Sequence, residues 1–196
     1  PEMTPTLARM AASHTRNYKK PIKWFSIPQL FRYERQQKGR LREHFQFNAD
    51  IIGEEHLAAD AELIALLIDT LRDLKLTSDD FVVRLSSRRA WQDFFENGGG
   101  QEKDANDFYQ IIDKLEREDP AVSGDKLAKL GFSLKQVNDF IESGQPTDEL
   151  AAILANIKAR GLGDFIKIDY RIIRGLAYYT GPVYEAFDKR GKFRAI

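Results

Sequence analysis

The residues best suited to chemistry crowd into one short stretch. Phe31-Arg32-Tyr33-Glu34-Arg35 runs into the polar segment Gln36-Gln37-Lys38-Gly39-Arg40-Leu41-Arg42 and then into Glu43-His44-Phe45-Gln46-Phe47. A guanidinium is planar, charged at any working pH and makes paired hydrogen bonds to phosphate oxygens. Arginines on one strand and in the loop of a hairpin therefore form a cationic clamp. By residue type alone the segment fits a solvated or RNA-facing surface as well as a phosphate clamp. Just beyond, Phe45, Phe47, Ala49 and Ile51 alternate with Gln46, Asn48 and Asp50, the period of a half-buried strand. That period sets Gln46 and Asp50 on one face, where an amide and a carboxylate could line a cavity or simply meet water. A third run, Arg174-Gly175-Leu176-Ala177-Tyr178-Tyr179-Thr180-Gly181, brings a cation and two phenols together far along the chain.

Other chemistries lack their residues. The 196 residues include no cysteine, which excludes a disulfide scaffold, a thiolate nucleophile and a Cys-ligated metal. His14, His44 and His56 have no HExxH spacing, so no metal site is expected. Gly98-Gly99-Gly100 lacks the Lys-Ser/Thr that completes a P-loop, and no GxGxxG follows a strand. A nucleotide bound here must be held by arginines. The longest apolar run, Leu63 to Ile68, falls far short of the ~20 residues that span a bilayer, so no membrane partner is expected.

Charge is placed unevenly. Lys+Arg and Asp+Glu each number 30, for a formal charge of zero. From His14 to His44, however, nine basic residues face two acidic ones, and from Phe45 to Asp80 nine acidic residues face two basic ones. Neutrality is a cancellation between neighbours and says nothing against an anionic partner.

The elements that must position these residues read as an α+β fold. A helix is expected over Thr4 to Ala12, with Pro5 in its first turn. Strands are expected over Ile27 to Glu34 and Phe45 to Ile52, joined by the polar loop, then a helix from Leu57 to Leu74 with Ile64, Leu67, Leu71 and Leu74 facing a core. Phe81 to Leu85 reads as a strand. Helical stretches follow at Asp104 to Glu116, Asp125 to Leu130, Ser133 to Ile141 and Thr147 to Arg160, with Ser133 and Gln136 spaced as a capping box. Strand signals return at Phe165 to Ile173 and from Val183, with a returning strand at Phe193 to Ile196. This order divides the chain into 1–87, a helical lobe at 88–162, and 163–196. The abrupt ends, with Pro1 first and a strand cut at Ile196, suggest a piece of a longer protein.

The arginine hairpin resembles motif 2 of class II aminoacyl-tRNA synthetases, and its loop is similar to that of the histidyl-tRNA synthetases. Pro1-Glu2-Met3-Thr4-Pro5-Thr6 resembles the amino-acid-binding segment of that family, without the arginine that normally precedes it. Arg174 to Gly181 resembles the family's histidine-specific signature, with Ala177 where aspartate is usual. The resemblance implies a mainly antiparallel class II sheet flanked by helices, and an insertion domain at about 88–162 that leans on the tRNA acceptor stem. Motif 1 would precede residue 1, and motif 3 with an anticodon-binding domain would follow residue 196.

The family forms histidyl-adenylate from histidine and ATP carrying Mg2+, then transfers the histidyl group to the 3′ end of tRNA(His). Carried over by position, Arg32 would hold the α-phosphate and the histidine carboxylate. Glu34 would contact adenine, Arg40 the distal phosphates, and His44 or Phe45 would stack on the base. Arg174 would be a second cation at the α-phosphate and touch histidine. Glu2, Thr4 and Gln46 would hold the α-amino group. Asp50 and Tyr179, with Tyr178 beside them, would read the imidazole, whose neutral form offers one donor and one acceptor nitrogen. A cytoplasmic homodimer is implied for the full-length protein. Two rivals are weighed beside this: the synthetase-like regulatory subunit of ATP phosphoribosyltransferase, and an RNA-binding module without chemistry.

Overall fold

The structure, a computed structural model, describes residues 2–33, 41–173 and 179–191. It is an α+β chain of two compact units, Pro1–Leu66 and Leu67–Ile196.

The first unit opens with α1 (Thr4–His14), whose Pro5 lies in the first turn, where a missing N–H costs nothing, and whose Leu7 and Ala11 are buried one turn apart. Four short strands follow: β1 (Ile22–Ser26), β2 (Gln29–Phe31), β3 (Glu43–Phe45) and β4 (Asn48–Ile52). They form two antiparallel pairs, β1 with β4 and β2 with β3. The pairing of Gln29–Phe31 with Glu43–Phe45 agrees with the expected hairpin, but the first expected strand is shortened to Gln29–Phe31 and the second is broken. Ile27-Pro28 separates β1 from β2, because proline offers no N–H to a ladder. Gln46-Phe47 separates β3 from β4, and the Gln46 N–H turns to the Pro28 carbonyl at 3.1 Å. The period of two therefore does not run through one strand, and the expected shared face of Gln46 and Asp50 is replaced by one residue in the break and one on β4. Nor is the apolar side buried in this chain: Phe45 is 71% and Phe47 45% exposed.

Helix α2 (Ala58–Asp73) begins in the first unit and ends in the second. Its buried stripe is Ala61, Ile64, Ala65, Ile68 and Leu71. Leu74, expected on that face, is 70% exposed because the helix has already ended.

The second unit holds a three-stranded sheet in the order β6-β5-β7, made of β5 (Phe81–Ser87), β6 (Ile166–Ile168) and β7 (Pro182–Asp188). β5 runs parallel to β6 and antiparallel to β7. Phe81, Val83 and Leu85 are fully buried, as befits the central strand. Between β5 and β6 lie α3 (Arg88–Asn97), α4 (Ala105–Lys114), α5 (Pro120–Lys129), α6 (Leu134–Ser143) and α7 (Asp148–Ala159). Ser87 caps α3 through its side chain, and α6 carries the expected capping box, Ser133 with Gln136. The helices pack round an aromatic cluster. Trp91 and Phe140 have ring centroids 4.8 Å apart, Phe95 and Phe108 4.9 Å, and Phe108 and Phe132 4.9 Å. Each ring of this size contributes about 1.5–3 kcal/mol by leaving water.

The strand expected over Phe165 to Ile173 stops at Ile168. There the Ile172 N–H closes a turn onto the Asp169 carbonyl, while Tyr170, Ile172 and Ile173 are buried without continuing the ladder. The loop 34–40, the run 174–178 and the expected strand at Phe193 to Ile196 lie outside the described residues.

Candidate functional site

Seven of the residues expected to bind substrate lie in the described part of the first unit: Glu2, Thr4, Arg32, His44, Phe45, Gln46 and Asp50. Tyr179 lies in the second. Glu34, Arg40, Arg174 and Tyr178 fall outside the described residues.

The hairpin ladder extends past the strand ends, because the Arg32 N–H donates to the Arg42 carbonyl at 2.8 Å. This sets two arginines opposite each other where the chain enters the polar loop. Arg32 is half-buried, and the Arg42 guanidinium stands over the Tyr33 ring, 4.7 Å from its centroid. Sequence alone marks Arg42 only as loop charge. Its place opposite Arg32 needs the strand register, which fixes Leu30 against His44 and Phe31 against Glu43.

That register carries His44 and Gln46 into a drier environment. His44 Nδ1 and Gln46 Oε1 are both buried and have no hydrogen-bond partner among the described residues. Buried polar atoms are normally paired, and an orphan costs roughly 1–3 kcal/mol, so these two atoms are positions where a ligand's donor or acceptor gains most. The Gln46 backbone is fixed from two sides, by its own N–H on Pro28 and by Asn48 Nδ2, which donates to the Gln46 carbonyl at 3.3 Å. Phe45, between them in sequence, presents its ring to solvent.

Asp50 lies on β4 opposite Trp24 of β1. It is half-buried, and loss of water pushes its carboxyl above the ordinary aspartate value. A carboxylate held short of water gains from a donor such as an imidazole N–H. Glu2 is half-buried just ahead of α1, and Thr4 is exposed at the helix's first residue.

In the second unit Tyr179 is half-buried and packs against the cluster of Ile172, Val183 and Phe187. Its ring is thus set by the sheet from which β7 begins. Among the described residues no group of three or more His, Cys, Asp or Glu side chains is arranged to hold a metal ion, and no helix is long and apolar enough to cross a membrane.

The comparisons with known proteins agree with one another. The histidyl-tRNA synthetase family model matches residues 1–193. The histidine–tRNA ligase of Opitutus terrae is 42% identical, with the match covering 100% of this chain and 50% of that protein. The chloroplastic/mitochondrial histidine–tRNA ligase of Arabidopsis thaliana is 35% identical, over 100% of this chain and 44% of that protein. Among solved structures, histidyl-tRNA synthetase from Nostoc sp. PCC 7120 superposes with a TM-score of 0.80 at 24% identity, covering 97% of this chain and 49% of that one. An ATP phosphoribosyltransferase regulatory subunit/histidyl-tRNA synthetase from Bacillus halodurans gives 0.79 at 20%, covering 99% and 55%. At these identities the structures establish the class II synthetase-like fold. The chain spans about half the length of the curated relatives it matches. With a family model matched along almost its entire length and relatives above 30% identity, this chain belongs to the histidyl-tRNA synthetase family.

Proposed function

We propose that the protein activates histidine with ATP and transfers the histidyl group to tRNA(His), and that this chain supplies much of the activation site. The observation that supports the reading is the pair of buried polar atoms, His44 Nδ1 and Gln46 Oε1, that have no partner among the described residues, beside the arginine-headed hairpin. An orphaned amide oxygen suits the ammonium of an amino acid. A desolvated carboxylate at Asp50 suits an imidazole N–H, with Tyr179 as the second imidazole contact.

In the activation step a histidine carboxylate oxygen attacks the α-phosphorus of ATP. The bond from that phosphorus to the bridging oxygen breaks, and pyrophosphate leaves. Negative charge accumulates on the α-phosphate oxygens as this happens. Arg32, with Arg174, stabilises that charge, and Arg40 holds the distal phosphates. Glu34 contacts adenine, with His44 or Phe45 stacked on it. Glu2, Thr4 and Gln46 fix the α-amino group, which sets the carboxylate in line for attack. Tyr178 stands beside the imidazole readers. Mg2+ enters with ATP as part of the substrate. Residues 88–162 are read as the insertion domain that meets the acceptor stem, and the full-length protein as a cytoplasmic homodimer.

A pocket of this kind rejects apolar isosteres of histidine, because its buried polar groups would be left unpaired. The relatives at 35–42% identity that bear the name histidine–tRNA ligase favour synthesis over the regulatory-subunit reading. Acceptance of labelled histidine by tRNA(His) tests the proposal. Charging by the protein at its full natural length supports it, and histidine binding without charging favours the regulatory subunit.

A further inference from the structure

Asp169 is a buried carboxylate of the second unit with three cations around it. It is 5% exposed, and its oxygens lie 3.5 Å from Arg84 Nη1, 3.8 Å from Lys167 Nζ and 3.6 Å from Arg171 Nη1. Its backbone is tied as firmly. The Asp169 N–H donates to the Leu85 carbonyl at 2.9 Å, and its carboxylate accepts the Arg171 N–H at 3.1 Å. The chain therefore leaves β6 through a fixed turn directly ahead of Ile172 and Ile173.

Arg84 on β5 is the partner that reaches furthest. Its guanidinium stands over the Phe187 ring of β7 at 3.9 Å and bonds Glu116 Oε1, beyond α4, at 3.2 Å. Phe187 belongs to the same apolar cluster as Ile172, and Tyr179 packs on that cluster. Contacts thus run from the Asp169 carboxylate through Arg84 to Phe187, a member of the apolar cluster on which Tyr179 packs. A buried carboxylate is tolerated only when paired, so the cations around Asp169 have a reason to be held tightly.

We infer that Arg84 and Asp169 are positioning residues for Tyr179: the ion pair locks the turn after β6, and the cation on Phe187 sets the surface on which the tyrosine rests. The inference rests on the reading of Tyr179 as a histidine contact. The adenine and distal-phosphate contacts are assigned to the hairpin of the first unit, and Arg174 at the α-phosphate also touches histidine, so the pair is expected to act on histidine more than on ATP.

The test compares wild type with Arg84→Met, which keeps apolar cover on Phe187 but removes the charge, and with Asp169→Asn, which keeps an acceptor for the Arg171 N–H. Two readouts are taken on the protein at its full natural length: amide hydrogen exchange, and steady-state histidine-dependent ATP–pyrophosphate exchange. Faster hydrogen exchange in peptides covering 169–173 and 179–187, with the helices α3 to α7 unchanged, is expected. Alongside it KM for histidine rises about tenfold while KM for ATP stays within about twofold. Arg84→Lys, which keeps the charge at Asp169, recovers part of the histidine KM. Unchanged exchange in those peptides, exchange raised throughout the protein, or a loss of kcat with both KM values unchanged overturns the inference. Absence of pyrophosphate exchange in wild type, with the local hydrogen-exchange response present, overturns the synthetase reading and leaves the clamp standing.

Discussion

The backbone N–H of Arg32 donates to the carbonyl of Arg42 at 2.8 Å, closing the hairpin with an arginine on each side of the loop entrance. The two residues lie ten apart in sequence, and only the antiparallel register makes them neighbours. Arg32→Ala removes the half-buried cation assigned to the α-phosphate. It is expected to lower kcat for pyrophosphate exchange by about 10²–10³, the usual effect of deleting one group that stabilises developing charge. Arg42→Ala leaves the Arg32 backbone bond in place and is expected to cost far less. Equal losses in the two variants, measured side by side, would remove Arg32 from its assigned role.

Asp50 gives a prediction with two opposite signs. Burial raises its carboxyl above the unfolded value of 3.8, so the folded chain favours the protonated form. Stability from this group is then greatest at low pH and falls as pH rises from about 3.8 through the raised native value. Asp50→Asn should therefore stabilise the ligand-free protein near neutral pH and flatten that dependence. The same change should weaken histidine binding, because the negative charge that strengthens the hydrogen bond from the imidazole N–H is gone. Thermal melts across pH, paired with histidine calorimetry, read both effects. A variant that loses stability and keeps affinity would show a merely structural carboxylate.

Asp80 has the reverse sign. The Thr77 N–H and hydroxyl, at 2.8 and 2.9 Å, hold its carboxyl below the ordinary value, and the Arg190 guanidinium adds to this. A lowered native value contributes stability above about 3.8 that is lost as pH falls through it. Asp80→Asn is expected to lower the urea midpoint at pH 7 and to converge with wild type in strong acid. Parallel curves at all pH values would contradict the assignment.

Trp91 links the helices to the chain leaving the sheet. Its indole N–H donates to the Tyr170 carbonyl at 3.0 Å, and the Tyr170 hydroxyl donates to the Gln145 carbonyl at 2.8 Å. Trp91→Phe keeps an aromatic ring but orphans a buried carbonyl and leaves a void. It is expected to destabilise by about 2–4 kcal/mol in urea unfolding. A cost below about 0.5 kcal/mol would mean that this bond is not buried in solution.

The sequence disclosed features whose physics is local. Ser133 and Gln136 announced the start of α6, and the heptad-like spacing announced α2, because caps and periodicity act within one or two turns. The pairing of the strands on either side of the polar run was legible from that run. The break at Gln46-Phe47 was not, since the alternation of apolar and polar residues continues through it while the hydrogen bonds do not. β1 was missed because Lys23-Trp24-Phe25-Ser26 carries no clean alternation to mark a buried face. The turn at Asp169 has the look of strand in the sequence, because Tyr170, Ile172 and Ile173 are apolar for burial and not for pairing. Arg84 with Asp169, and Trp91 with Tyr170, join residues far apart in the chain, and no local pattern encodes such pairs.

Histidine-dependent ATP–pyrophosphate exchange by the protein at its full natural length tests the account most directly, because it reports activation alone, before any tRNA is involved. Exchange that requires histidine, is not supported by other amino acids, and falls with Arg32→Ala is the predicted result. A correctly folded protein that binds histidine but catalyses no exchange would contradict it.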